Sequence, residues 1–250
     1  MLRVGTVGWV IERAVARHFP RDGNDLKRYA RRLNCVEIES TFHRSPRPIT
    51  WNRWAITVSK SFRFAVRIPR IYTHQPQLTA DPAPLRDFIA GAHLLGEKLG
   101  PLVFQLGRRL PFDPHDAGAF LTQLRETHTG LVAFEPKHPT WFTPEASDLM
   151  RSFQVARVIV DPAKIPEAAN PGGWDGLAYY HLRGTPRTHY STYPEEFLEV
   201  LATSIADRHP DAETWVIFDH ASPAAAVRNA IVLSDLANPP TSERRVNWTQ

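Results

Sequence analysis

Eight short runs of apolar, often β-branched residues recur along the chain, and those from the second on carry a charged or polar side chain at or near their carboxyl end. They lie at Leu2–Val7, Cys35–Glu39, Phe62–Arg67, Leu102–Leu106, Leu131–Glu135, Arg157–Val160, Ala178–Arg183 and Thr214–Asp219. Runs of this length, bounded by turn residues, predict strands buried on both faces. Helical patterns fill most of the intervals, at Asp25–Leu33, Thr50–Ser59, Pro84–Leu99, His115–Thr127, Pro144–Ser152, Pro194–Arg208 and Ala224–Leu236. In the third of these, Leu85, Phe88, Ala92 and Leu95 recur at helical spacing. Pro144 and Pro194 suit a first helical turn, with Thr143 as a cap before the former. Strand and helix alternating in this way predict the α/β class. The architecture expected is a single (β/α)8 TIM barrel with a parallel eight-stranded core, residues 1–250 forming one domain. An open doubly wound sheet is the alternative. It predicts a glycine-rich phosphate loop after the first strand, and Gly5-Thr6-Val7-Gly8-Trp9 does not form GxGxxG.

Composition narrows the classes. The formal charge of +4 is mildly basic and rests mostly on arginine, with lysine only at positions 27, 60, 98, 137 and 164. No run of basic residues resembles a nucleic-acid tail, so the balance predicts at most a preference for anionic ligands. No apolar run approaches the ~18 residues of a membrane span. The first residues lack a basic segment followed by an apolar one, so a cytoplasmic protein without a signal peptide is expected. Cys35 stands alone, which excludes an intrachain disulfide or a thiolate metal cluster and predicts a core role. Between Asp161 and Leu177 the helical signal gives way to DPAKIPEAANPGGWDG, which reads as a long functional loop. The tail from about residue 238 is polar and is expected to lie over the surface.

Side chains alternate along a strand, so polar residues interrupting an apolar run reveal its inward face. That rule picks out Glu37 and Glu39, Arg67, Gln105, Glu135, Asp161, His181 and Arg183, and Asp219. The densest stretch is LVAFEPKHPTWF, residues 131–142, where a strand runs directly into Glu135, Lys137 and His138. Strand carboxyl ends are where α/β proteins place ligands. The candidate acid–base residues are therefore Glu135, His138, Glu37, His181 and Asp219. The candidate substrate contacts are Arg67, Arg70, His74, Gln105, Lys137, Arg183, Trp9 and Asp161, with Trp141 and Trp174 as further stacking surfaces. A charged residue at a strand end is ordinarily a solvated rim residue. Seven strands doing it together, with acids and bases alternating, predict a site.

The blocks VGTVGW (4–9), VEIESTFHR (36–44), FRFAVRIPRIYTH (62–74), LGPLVFQL (99–106), FEPKHPTWF (134–142), YYHLRG (179–184) and FDH (218–220), followed by Asn229, resemble in order those of the YecE-like family, the domain of unknown function 72. The resemblance spans nearly the whole chain and implies a TIM barrel, while the family has no established activity to carry over. Four positions depart from the usual pattern. Val7 stands at a serine position, Glu39 at an asparagine, His43 at a tyrosine and His220 at an asparagine.

Three chemistries fit these residues. The first is a metal-independent acid–base enzyme with no cofactor, acting on a small anionic or polyhydroxylated substrate that arginine forks would clamp. The second is a divalent-metal hydrolase or isomerase resembling endonuclease IV or xylose isomerase, with Glu135, Asp161, His181 and Asp219 as ligands. Against it, Lys137 and Arg183 fall among those ligands and would repel a cation. The third is a nucleic-acid or partner-binding module using His43–Trp54, where arginines and tryptophans mix. Oligomeric state is not legible.

Overall fold

Parallel strands need both faces covered, and the apolar runs of this chain are covered by helices on one side and by one another on the other. The computed structural model describes residues 1–75, 78, 83–209, 211–220 and 223–237. The strands are β1 (Leu2–Thr6), β2 (Cys35–Ile38), β3 (Arg63–Arg67), β4 (Leu99–Gln105), β5 (Val132–Glu135), β6 (Val155–Arg157), β7 (Ile159–Asp161), β8 (Leu177–Leu182) and β9 (Glu213–Phe218). The helices are α1 (Asp25–Tyr29), α2 (Pro48–Thr57), α3 (Ala83–His93), α4 (Pro114–Thr127), α5 (Pro144–Ser152), α6 (Glu195–Arg208) and α7 (Pro223–Ala237).

All strand pairs are parallel, and they form two sheets rather than one closed ladder. One runs β1-β9-β8-β7 and the other β2-β3-β4-β5-β6. The expected sixth strand, Arg157–Val160, is the reason for the split. Its first half pairs with β5 and its second with β8, and at the changeover Val158 N–H donates to Phe134 O at 2.8 Å. The opposite edges meet at a single parallel bridge between Val7 and Glu37, where Gly8 N–H donates to the Glu37 carbonyl at 2.9 Å.

Helix ends follow their local chemistry. Thr143 caps α5 by accepting from Ala146 N–H, and Asp113 caps α4 by accepting from Asp116 N–H. The third helix ends at His93, before the expected Leu99. Gly96 takes a left-handed φ of 58°, a short 3-10 turn follows, and Leu99 already belongs to β4. The stretch after Asp161 holds one 3-10 turn, Pro166–Ala169, and is tied down by Arg157, which donates to the carbonyls of Glu167 and Pro171. The polar tail lies outside the described residues.

Two apolar clusters divide the side chains by strand parity. One joins the helices to the outward residues of the sheets, such as Val36, Phe64, Phe104 and Phe134. The other is purely inward and holds Cys35, Ala65, Val103, Ala133, Tyr179 and Trp215, drawn from both sheets. Cys35 is thus a buried core residue, as expected. Trp215 is the bulkiest group there, and it fits because β4 has no side chain at Gly100. A Cβ there would stand 2.5 Å from its ring. Gly5 serves the seam between β1 and β2, where a Cβ would come within 2.2 Å of the Cys35 carbonyl oxygen. Backbone cannot yield as a side-chain tip can. Gly5→Ala is therefore expected to lose roughly 1–3 kcal/mol of stability. Urea unfolding measures this, and an unchanged midpoint would mean that the two strands do not meet so closely.

Candidate active site

Above the inner apolar cluster the same strand parity continues into charge. One step beyond Cys35, Ala65, Val103, Ala133 and Tyr179 stand Glu37, Arg67, Gln105, Glu135 and His181, all buried. Beyond Ile217 stands Asp219, and beyond His181 stands Arg183. Buried charges persist only when paired and hydrogen-bonded, and here they are. Arg67 Nε donates to Glu37 Oε1 at 2.6 Å, and its Nη1 reaches Glu39 at 2.9 Å. Tyr179 OH donates to the other Glu37 oxygen at 2.5 Å. Arg183 Nη2 donates to Glu135 Oε1 at 2.5 Å, and Gln105 Nε2 to the same oxygen at 3.3 Å.

His181 is the centre of the ring. Its Nδ1 lies 2.8 Å from Glu135 Oε2 and its Nε2 lies 3.2 Å from Asp219 Oδ2, so each ring nitrogen faces a carboxylate. Burial and the nearby Arg183 oppose a charge on this imidazole. The hydrogen bonds to Asp219 and Glu135 override them and raise its pKa. Burial likewise resists the charge on Glu135, but Arg183, His181 and Lys137 hold its carboxyl well below the usual range. Asp219 is lowered in the same way by His181, Arg67 and Arg183 against its burial. The ion pairs of the ring thus set Arg67, Arg183 and His181 against Glu37, Glu39, Glu135 and Asp219.

Not every candidate joins this ring. Asp161 shares its face with Ile159, which packs in the outer cluster, so its carboxylate points away from the inner face. It accepts instead from Tyr193 OH at 2.7 Å and from the Thr185 hydroxyl, pinning the loop after β8. His138 caps the 3-10 turn Pro139–Phe142, accepting from Thr140 N–H with Nδ1. Trp9 packs edge-on against Trp54, which packs edge-on against the fully buried Trp51. The tryptophans of the 43–54 segment are therefore used in packing and form no open stacking platform. Trp141 is fully buried, and Trp174 packs against the inner apolar cluster near Val155, at the strands' opposite end. Arg70 is exposed, and half-buried His74 has its pKa lowered by burial, with Lys137 and Arg70 adding to the effect.

The departures from the family pattern fall around this centre. Glu39 adds a second carboxylate to Arg67. His43 is exposed and stacks edge-on against Phe42, and Val7 packs against the inner cluster. His220 is buried between Phe218 and Tyr193, and neither ring nitrogen has a hydrogen-bond partner among the described residues. Asn229 clamps the backbone of Tyr193 through both ends of its amide. Sequence reasoning missed Tyr179, which reads as one more aromatic in an apolar strand, although it stands two residues before His181 on the same face.

The proposed metal set is not assembled. Asp161 faces away, and the guanidinium of Arg183 lies against both Glu135 and Asp219. A cation would have to displace it. Among the described residues, the grouping of three carboxylate or histidine donors close enough to share an ion is Asp113, His115 and Asp116 at the start of α4, and it includes none of the proposed ligands. No helix among the described residues is long and apolar enough to cross a membrane.

The sequence profile described as "Protein of unknown function DUF72" matches residues 3–249. The UPF0759 protein YecE of Escherichia coli K12 is 31% identical over 155 residues, covering 58% of this chain and 55% of that one. The chain thus spans about half the length of the curated relatives it matches. A DUF72 family protein from Enterococcus faecalis V583 superposes with a TM-score of 0.75 at 18% identity, covering 100% of this chain and 99% of the other. One from Thermotoga maritima MSB8 gives 0.73 at 20% identity, covering 94% and 98%. D-Psicose 3-epimerase from Clostridium cellulolyticum H10 gives 0.50 at 13% identity, covering 96% and 93%, a likeness of fold alone.

The histidines give a direct check on the electrostatics. His181 is expected to keep its proton above the ordinary value of about 6.5. His128, pushed down to about 4 by burial and by His93 beside it, should stay neutral at pH 6. The raised His181 pKa makes its contribution to stability full below about pH 6.5 and lost as pH rises through its folded value. The depressed Glu135 and Asp219 contribute above about pH 4, and that contribution is lost as pH falls through theirs. NMR titration of the imidazole nitrogens reads each group, and a His181 midpoint at or below about 6.5 would contradict the doubly bonded ring.

Proposed function

The chain belongs to the DUF72 family, and on that footing we propose that it is an acid–base enzyme working at the carboxyl ends of its strands on a small anionic or polyhydroxylated substrate. We read its two sheets as halves of one (β/α)8 barrel, closed at the Val7–Glu37 bridge and through Val158. The observation that carries the functional reading is His181 held between two carboxylates. A purely structural ion pair needs one partner. An imidazole bonded at both nitrogens is set in one orientation and can pass a proton at either end.

The ring divides into fixed and displaceable parts. Arg67, buried and held by Glu37 and Glu39, is a positioning group. Arg183 is more open, and its guanidinium suits a phosphate or carboxylate as well as it suits Glu135. A substrate anion that draws Arg183 toward itself relieves Glu135 of the charge that suppresses its basicity. Glu135 then becomes a competent base just when substrate is present, with His181 as the acid. Lys137 and Arg70 add positive potential on the same side, where they help to keep the half-buried His74 imidazole neutral. The reading uses no metal, because the donors a metal would need are already bonded to guanidinium and imidazolium.

A thermal-shift screen of phosphorylated and carboxylated metabolites tests it, repeated with Glu135→Gln. A metabolite that raises the melting temperature of the wild type and is turned over should lose turnover by roughly 100-fold or more in the variant. Turnover at the wild-type rate in Glu135→Gln would refute the assignment. Activity that a chelator abolishes and Zn²⁺ or Mn²⁺ restores would favour the metal reading instead.

A further inference from the structure

Lys137 is a half-buried cation on the inner rim to which the fold gives no partner. Among the described residues no carboxylate pairs with its ammonium and no acceptor takes its hydrogen bonds. The other lysines are accommodated differently. Lys98 donates to the carbonyls of Ala55 and Val58, Lys27 lies by Asp22, and Lys60 and Lys164 are exposed. Lys137 follows Glu135 by two residues, and Glu135 is the acid that favours its charge. That carboxylate is already bonded to His181, Arg183 and Gln105. Burial lowers the lysine's pKa, and the remaining neighbours, Arg183, Arg67 and Arg108, are all cations that add to the effect.

A desolvated amine among other cations is the arrangement that frees a lysine lone pair for attack on carbon. We propose that Lys137 is a nucleophile that binds an anionic aldehyde or ketone as an imine. The inference rests on the acid–base reading above and adds a covalent step to it. The lysine nitrogen attacks the carbonyl carbon and the C=O π bond opens onto oxygen. Two proton transfers to that oxygen, relayed by the Glu135–His181 pair, release it as water. The product is R₂C=N–Lys, or its protonated iminium, from R₂C=O and the lysine amine. No oxidant or reductant is consumed, and hydrolysis by the same water reverses the step. The anionic group of the substrate would sit toward Arg70 and Arg108, both exposed on the strand-end side.

The test uses the wild-type chain and one named probe, pyridoxal 5′-phosphate, with pyridoxal as its uncharged-tail control. Sodium borohydride fixes any imine, and peptide mapping assigns it among the five lysines. Reduced adduct on Lys137 should exceed that on Lys27, Lys60 and Lys164, because burial and neighbouring cations favour its free amine, and that on Lys98, whose amine is tied to the carbonyls of Ala55 and Val58. Inorganic phosphate should suppress it. Labelling spread evenly over the exposed lysines, or equal labelling by pyridoxal, would overturn the proposal. Lys137→Arg keeps the charge and should remove the adduct while Lys60 still labels at its wild-type rate, and an undiminished total would overturn the assignment. The two readings fail separately. Loss of metabolite turnover in Glu135→Gln without any adduct on Lys137 would leave the acid–base site standing and exclude the imine. Adduct on Lys137 with turnover indifferent to Glu135 would do the reverse.

Discussion

Glu37 carries a carboxylate where no water reaches it, and much of the charged ring follows from keeping it there. Both of its oxygens are taken, one by Arg67 and one by Tyr179, which bridges from the opposite sheet. Leaving either partner of such a buried pair alone costs about 3–5 kcal/mol, so the arrangement is self-enforcing. Arg67 turns the problem outward, because its remaining donors reach Glu39 and approach His181. His181 in turn needs Glu135 and Asp219, and Glu135 needs Arg183. Each charge is tolerable only because the next one is present. The chain of pairs ends at the rim, where Arg183 and Lys137 meet solvent.

The division of the strands into apolar depth and polar rim was legible in the sequence because it is a matter of parity. Glu37, Arg67, Gln105, Glu135, His181 and Asp219 could be assigned to one face by counting in twos from apolar neighbours. The same counting misplaced Asp161, since its companion Ile159 belongs to the outer cluster. An apolar partner does not say which of two apolar environments it occupies. Tyr179 was missed for the complementary reason: its ring belongs to the core and only its hydroxyl to the ring of charge. His138 and Trp9 show a third limit. Capping and edge-on packing depend on where loops return, and no local pattern encodes that.

The split of the ladder into two sheets was not legible at all. Arg157–Val160 looks like one strand, and in covalent terms it is. What divides it is the exchange of hydrogen-bonding partners at Val158, which depends on two strands distant in sequence. The whole-chain superpositions on DUF72 proteins from Enterococcus faecalis and Thermotoga maritima share this fold at about 20% identity. Cores tolerate such divergence when volume and pattern are kept. The residues around the site need not follow the same rule.

That changeover strand has one further consequence. It runs between β5, which bears Glu135, and β8, which bears His181, and it contributes only Ala156, Val158 and Val160 to the inner face. Its sole acid, Asp161, is turned outward. Glu135 and His181 can therefore touch across an intervening strand that offers them nothing to bond. Val160 stands in register with His181 across the β7–β8 ladder and brings only an aliphatic side chain to the inner face.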